Sequence, residues 1–251
     1  MADGAGREHP HSLWPAVPPP VYRPGVVEWE HECVYLPGRL ARVRAYHTEK
    51  LPAGLFCGFL DAGFRRSGLV IYQPICPGCR ACVAIRVPTG RFQPSRSQRR
   101  CLRRNADLRV SVGQPQATDE KYELYRRYLA GRFPGGPMSD GREEYEQFLY
   151  ESPVETIECC YRDAGGRLLA VGICDVCSRS LSSVYFYFEP SERRRGLGTY
   201  GALYEIELAR RAGIPWYYLG YWVKGCGAME YKSRFRPYEL LRTDGVWREE
   251  G

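Results

Sequence analysis

The sequence predicts an α+β fold: a mixed β-sheet with flanking helices and one parallel crossover, joined to a smaller cysteine-containing N-terminal region. Two observations carry this. Three strand-like runs follow one another late in the chain, ETIECCYR, RLLAVGICDV and SLSSVYFYFEP. A helix that opens on glycines, RRRGLGTYGALYEIELARRAG, then precedes an apolar strand, IPWYYLGYWV, which must run parallel to the strand before the helix. A third observation narrows the class: no apolar run approaches the ~20 residues that a membrane-spanning helix needs.

The elements follow in order. Residues 1–28 are rich in Pro, Gly and Ala, include Pro18-Pro19-Pro20, and read as a flexible tail. The tail lacks the basic-then-apolar signature of a secretory leader, so a cytoplasmic location is expected. Folded structure is expected from near Trp29, in EWEHECVYLPGRLARVRAY. Leu55, Phe56, Phe59 and Leu60 mark a helix that ends at Gly63, where a left-handed cap is cheap. FRRSG leads into LVIYQP, a strand closed by Pro74, and CPGCRAC leads into VAIRV, a second strand. A helix from about Ser95 carries a block of arginines, and DLRVSVG returns as a strand. Thr118 is placed to cap a helix with the stripe Tyr122, Tyr125, Tyr128 and Leu129. Gly131 to Pro137 interrupts it. Asp140 and Glu143 form a capping pair ahead of a short helix with Tyr145, Phe148 and Leu149. The later helix presents Tyr200, Leu203, Tyr204 and Leu208 and closes at Gly213, and IPWYYLGYWV is expected to be the last strand. The division is therefore a tail (1–28), an N-terminal region with the cysteine cluster and arginine block (29–112) and a C-terminal catalytic region (113–251).

Charge and cysteine usage bear on partners. Lys and Arg number 36 against 29 Asp and Glu, for a net charge of +7. The excess is concentrated: Arg91 to Arg109 holds seven arginines and one acid, Asp107, which favours a polyanion such as nucleic acid. The eleven cysteines are odd in number and follow no leader, which argues against a secreted disulfide framework. Metal ligands, buried small hydrophobes and reactive thiols are the readings left open. Cys76-x-x-Cys79-x-x-Cys82 has a spacing that can converge on one Zn²⁺ or an iron–sulfur cluster, with Cys33 as fourth ligand and Cys57 as the substitute. Cys159, Cys160 and Cys174 fall on strands, where burial is the default, and Cys226 falls in a loop. The four histidines, His9, His11, His31 and His47, all lie early in the chain. A Ser/His/Asp or Cys/His mechanism housed in the C-terminal region is thereby excluded, while transfer from an activated donor stays open.

The turn Arg193-x-x-Gly196-x-Gly198 lets backbone amides approach a phosphate or an acyl-transfer intermediate at a helix N-terminus. It resembles the pyrophosphate loop of the GCN5-related N-acetyltransferases, so the sheet is expected to be acetyltransferase-like. The segments GFRRSG, the cysteine turn followed by AIRV, RSQRR, LSSVYFYFEP, LGTYGALYEIELAR, YYLGYWV and MEYKSRFRPYELL together resemble the arginyl-tRNA–protein transferase family, closest to its bacterial aspartate/glutamate leucyltransferase branch. The resemblance runs from about Cys33 to Trp247. It implies transfer of leucine from leucyl-tRNA to the α-amine of proteins beginning with Asp or Glu, marking them for N-degron degradation, with no cofactor required for transfer. Eukaryotic members carry an N-terminal C-x-x-C pair; here Cys33 has Leu36 in the partner position, and the Cys76/Cys79/Cys82 turn stands in place of the later pair.

For that chemistry Arg96, Arg99, Arg100, Arg103 and Arg104 are candidates for the tRNA backbone. Arg65 and Arg66 suit an acceptor carboxylate or the tRNA end. Arg193, Gly196 and Gly198 are candidates for substrate binding at the turn. Tyr72, Tyr218 and Tyr221 could stack on the terminal adenosine or donate to the oxyanion, and Asp175 could orient the amine or serve as a paired structural acid. Lys232 is the candidate for stabilising charge at the ester. An arginine donor would need a carboxylate in its pocket, from Asp175 or Glu230. The rival readings are an arginyl-tRNA–protein transferase, an acetyl-CoA-dependent N-acetyltransferase and a non-catalytic RNA-binding module.

Overall fold

A computed structural model describes residues 25–132 and 141–250. Most of the expected tail, most of the Gly131–Pro137 break and Asp140 of the expected capping pair lie outside these residues. The chain begins with β1 (Val26–Glu32), β2 (Leu40–His47), α1 (Ala53–Asp61), β3 (Arg65–Ser67), β4 (Val70–Pro74) and β5 (Val83–Pro88). Next come α2 (Arg96–Arg104), β6 (Arg109–Gly113), α3 (Asp119–Arg132), α4 (Arg142–Leu149), β7 (Thr156–Arg162), β8 (Leu168–Cys177) and β9 (Ser180–Phe188). A short 3₁₀ turn, Pro190–Arg195, leads to α5 (Leu197–Arg211), β10 (Trp216–Trp222), α6 (Gly227–Glu230), a second 3₁₀ turn, Tyr231–Arg234, then β11 (Tyr238–Leu241) and β12 (Trp247–Glu250).

The strands form a four-stranded sheet, β1-β2-β4-β3, and an eight-stranded sheet, β12-β11-β5-β10-β9-β8-β7-β6. Within the large sheet β9 and β10 run parallel and the pairings around them are antiparallel. The crossover through α5 therefore stands as expected. IPWYYLGYWV is not the last strand, because the β11–β12 hairpin follows and completes the sheet edge. Residues 26–47 form a β-hairpin whose outer strand is exposed along nearly its whole length, so the chain carries no clear inside–outside alternation there. The large sheet draws β5 and β6 from before residue 113, so its strands come from both sides of that boundary.

Local chemistry explains the helix ends. After α1, Gly63 takes φ +83° and donates to Leu60 O, while Phe64 N donates to Phe59 O. This is the left-handed cap that glycine makes cheaply, and Gly213 closes α5 in the same way. Ser95 and Gln98 form a reciprocal capping box on α2, and Thr118 Oγ1 accepts from Lys121 N at the start of α3.

Helices α2 and α5 cover one face of the large sheet, around Leu203, Ile206, Leu169, Tyr217 and Leu219. Helices α3 and α4 cover the other, where Tyr125, Tyr145 and Tyr187 pack together. Helix α1 packs with Phe64, Ile71 and Tyr218. There Cys57 and Cys177 form a disulfide spanning 120 residues of sequence. That pairing corrects the expectation of unpaired thiols and removes Cys57 as a substitute metal ligand. Among the described residues no helix is long and apolar enough to cross a membrane.

Candidate active site

Strands β9 and β10 pair only at Ser180–Ser182 with Trp216–Tyr218, and then part. Each is irregular at the fork. Against β8 the register of β9 shifts between Ser183 and Tyr185, leaving Val184 as a bulge. Against β5 the register of β10 shifts between Tyr218 and Gly220. Gly220 has φ +90°, and a Cβ on it would stand 3.4 Å from Lys232 Nζ and 3.6 Å from an Arg65 guanidinium nitrogen. Those distances are ordinary contact, so it is the left-handed backbone at the irregularity, beside the two cations, that calls for glycine.

Those cations arrive from opposite ends of the chain. Arg65, on β3, donates to Ser183 O, and its Nη1 has no partner among the described residues although it is buried. Lys232, on the turn after α6, donates to Tyr221 O at 2.7 Å. Burial, and secondarily the Arg65 charge, lower its ammonium to about 7, so near neutrality it is poised between a donor cation and a neutral amine.

The glycine turn lies on the α5 side. Gly196 takes φ +67° and starts α5 with no side-chain cap; its own amide donates to Arg193 O and Thr199 N to Gly196 O, which leaves the amides of Leu197 and Gly198 for a ligand. The carbonyls of the turn are held by α2: Cys101 Sγ donates to Gly196 O at 3.5 Å and Asn105 Nδ2 to Arg195 O at 2.9 Å. Arg193, Gly196 and Gly198 line a cavity of about 480 Å³ with Phe186, Phe188 and Tyr231. A neighbouring cavity of about 290 Å³ shares Gly196, Thr199 and Tyr231 and is lined by Arg100, Arg104 and Arg234. The arginine block thus stands beside the turn. Arg96, Arg99, Arg100, Arg103 and Arg104 are all exposed, and Arg104 donates to Arg194 O.

On the small-sheet side Tyr72, Tyr221, Ser67, His31, Cys33 and Cys82 are among the residues lining a cavity of about 330 Å³. Tyr221 is committed, its hydroxyl donating to Gly63 O at 2.8 Å. Burial pushes the Cys82 thiol up to about 12, and the neighbouring Cys76, Cys33, Cys79 and Cys226 push in the same direction. Free cysteines do gather here, and the loop residue Cys226 joins them. Yet among the described residues no group of three His, Cys, Asp or Glu side chains is arranged to hold a metal ion. The Zn²⁺ or iron–sulfur reading of Cys33, Cys76, Cys79 and Cys82 therefore has no support from the arrangement of the described residues.

Three candidates are spent on structure. Asp175 and Arg66 are buried partners: Arg66 Nε reaches the two carboxylate oxygens at 2.9 and 2.8 Å, and Thr156 Oγ1 donates to one at 2.9 Å. Neither faces a substrate. Tyr218 donates to Asp61 at 2.6 Å, accepts from Arg86 and packs edge-on against Trp247, so it cannot stack on a base. Lys232, Arg65, Arg193, Gly196 and Gly198 are brought to the fork or its glycine turn. Residue reading missed the Val184 bulge, Ser183 and Gly220. Of these only Gly220 left a signal, as a lone glycine in an apolar strand.

A sheet that forks between two parallel strands, with a glycine turn opening the helix that joins them, is the acetyltransferase-like fold. The chain belongs to the arginine-tRNA-protein transferase family: the N-terminal family model matches residues 31–100 and the C-terminal model residues 120–242. A relative from Thiobacillus denitrificans, named aspartate/glutamate leucyltransferase, is 43% identical over 87% of this chain and 91% of its own. A relative of the same name from Stenotrophomonas maltophilia is 46% identical over 84% of this chain and 86% of its own. Among solved structures, L-PGS from Bacillus licheniformis gives a TM-score of 0.49 at 13% identity, over 82% of this chain and 66% of that one.

Proposed function

We propose that this chain is an aminoacyltransferase that moves leucine from leucyl-tRNA to the α-amine of proteins beginning with Asp or Glu, marking them for degradation in the cytoplasm. The observation that carries the reading is the fork itself, where Arg65 and Lys232 meet beside Gly220, with the adjacent Tyr221 lining the cavity under the small sheet and the adjacent Tyr231 lining the glycine-turn cavity.

The leucyl ester enters from the glycine-turn side. Arg193 and the amides of the turn hold the tRNA 3′ end, and exposed arginines of α2 neutralise acceptor-stem phosphates. Among the described residues no carboxylate lines the glycine-turn cavity, whose walls include Phe186, Phe188 and Leu197. An arginyl side chain would be left unpaired there and a leucyl side chain would not. Neither proposed source of an acid serves, since Asp175 is bound to Arg66 and Glu230 is exposed. The acceptor enters from the small-sheet side, past Tyr72. Its side-chain carboxylate takes the open Nη1 of Arg65, and Lys232 stabilises the developing oxyanion. An α-amine of pKa ~7.7–8.0 already has a usable neutral fraction, so positioning supplies much of the rate.

The test offers radiolabelled leucyl-tRNA and arginyl-tRNA separately with peptides beginning Asp, Glu or Ala. Label moving from leucine to the Asp and Glu peptides but not to Ala is the expected result. Transfer from arginyl-tRNA would overturn the donor assignment, and tRNA binding without transfer would leave a non-catalytic RNA-binding protein.

A further inference from the structure

One carboxyl group beside the fork has no part in the steps above. Glu205, on α5, is 1% exposed. Its Oε2 accepts from the Tyr217 hydroxyl at 2.5 Å, and its Oε1 has no partner among the described residues. A Cβ on Gly172 would lie 2.4 Å from that oxygen, so this glycine of β8 is what admits the carboxyl to the sheet. Ser183, half-buried where β9 leaves β10, links the two sides of the fork: its hydroxyl lies beside Glu205 and its carbonyl accepts from Arg65.

The titratable groups facing Glu205 are Cys159 and Tyr161 from β7, Cys174 from β8, Tyr217 from β10 and Tyr231 after α6. All are neutral near pH 7. Burial raises the Glu205 acid to about 7, although the Tyr217, Cys174 and Ser183 contacts pull it down. A carboxylate this deeply buried is costly as an anion even with these neighbours, and is relieved by gaining a proton.

We propose that Glu205 accepts, through the Ser183 hydroxyl, the proton that the acceptor α-ammonium must shed before it attacks. The proposal rests on the transferase reading. An ammonium N–H bond breaks toward Ser183 Oγ while the Ser183 proton passes to Glu205 Oε1, turning carboxylate into carboxylic acid. The freed nitrogen lone pair forms the C–N bond at the ester carbonyl. The C–O bond to the ribose breaks, and a second nitrogen proton leaves on the ribose oxygen as its hydroxyl. Glu205 then returns its proton to water. Glu205 acts through Ser183 and is a positioning residue for the proton, without touching the ester.

The test is the pH profile of leucyl transfer to an Asp peptide between pH 5.5 and 9, for the wild type, Glu205→Gln and Tyr217→Phe, with tRNA affinity and thermal melting followed alongside. Wild-type kcat/KM should rise through an acid limb near pH 7. Glu205→Gln should lose roughly 5–10-fold near pH 7, the inverse of the free-amine fraction there, and recover toward pH 9, where the free amine, pKa ~7.7–8.0, needs no acceptor. Tyr217→Phe removes the donor on Oε2 and should move the acid limb upward. A Glu205→Gln profile parallel to wild type overturns the proposal. If that variant does not fold, an unmoved limb in Tyr217→Phe overturns it instead. A wild type that transfers from no charged tRNA overturns the transferase reading itself, and the proton role with it.

Discussion

Asp175→Asn separates a structural acid from a chemical one. In the folded protein the Asp175 and Arg66 side chains are 1% and 0% exposed, and Arg66 Nη2 already has no partner among the described residues. Replacing the carboxylate with an amide leaves a buried guanidinium with its charge uncompensated and weakens the bond from Thr156. Breaking a buried pair from one side costs about 3–5 kcal/mol. In a chain of this size each kcal/mol moves Tm by roughly 2–4 °C, so a fall of roughly 6–20 °C is expected. Urea unfolding followed by circular dichroism should show a lower midpoint with an unchanged slope. Transfer per folded molecule, measured well below the new Tm, should stay within about 3-fold of wild type, because Asp175 touches no cavity at the fork. The paired change Arg66→Met with Asp175→Leu should recover most of the loss, since a well-packed apolar pair of similar volume removes both charges. The reasoning is refuted if Asp175→Asn keeps its stability within about 1 kcal/mol while transfer falls by ~10²-fold.

Lys232→Met should lower transfer by ~10²-fold or more. With the Lys232 pKa lowered from 10.5 to about 7, the unfolded chain binds the extra proton between those values, so wild-type stability rises with pH across that window. The variant should therefore be more stable than wild type by about 4 kcal/mol at pH 6, a gain that shrinks as pH approaches 10. Arg100→Ala combined with Arg103→Ala should weaken tRNA binding and flatten its dependence on log salt by about 0.7–0.9 for each phosphate left without its arginine, read by filter binding at several ionic strengths. Gly201→Ala should destabilise by about 1–3 kcal/mol in the same urea assay, because its Cβ would lie 2.1 Å from the Phe186 ring.

The residues that announced themselves were those whose role is local. Gly63 and Gly213 marked helix ends, Thr118 and Ser95 marked helix starts, and the strand–glycine turn–helix–strand order fixed the crossover. What stayed hidden depends on partners far away in sequence. Asp175 looked like an acid stranded on an apolar strand, and only the fold supplies Arg66, 109 residues distant. Arg65 and Arg66 are adjacent in one motif, yet alternation along β3 sends one to the fork and the other into a buried pair. Cys57 and Cys177 gave no pairing signal because 120 residues separate them and Cys177 shares β8 with Cys174. The β11–β12 hairpin was missed because both strands are only four residues long and β12 is rich in charge.

The position of β5 has a consequence for synthesis on the ribosome. This strand leaves the tunnel early, but its two sheet neighbours are β10 and β11, and Arg86 pairs with Glu239 153 residues later. At ~5–20 residues per second the nascent chain carries an apolar strand with both edges open for roughly 10–30 s. Distant pairings of this kind also slow the closing step, since a long loop must be ordered before any contact rewards it. A protein whose proposed trade is to mark others for destruction thus spends its own early life as a half-finished sheet, its central strand unpaired until the last fifty residues emerge.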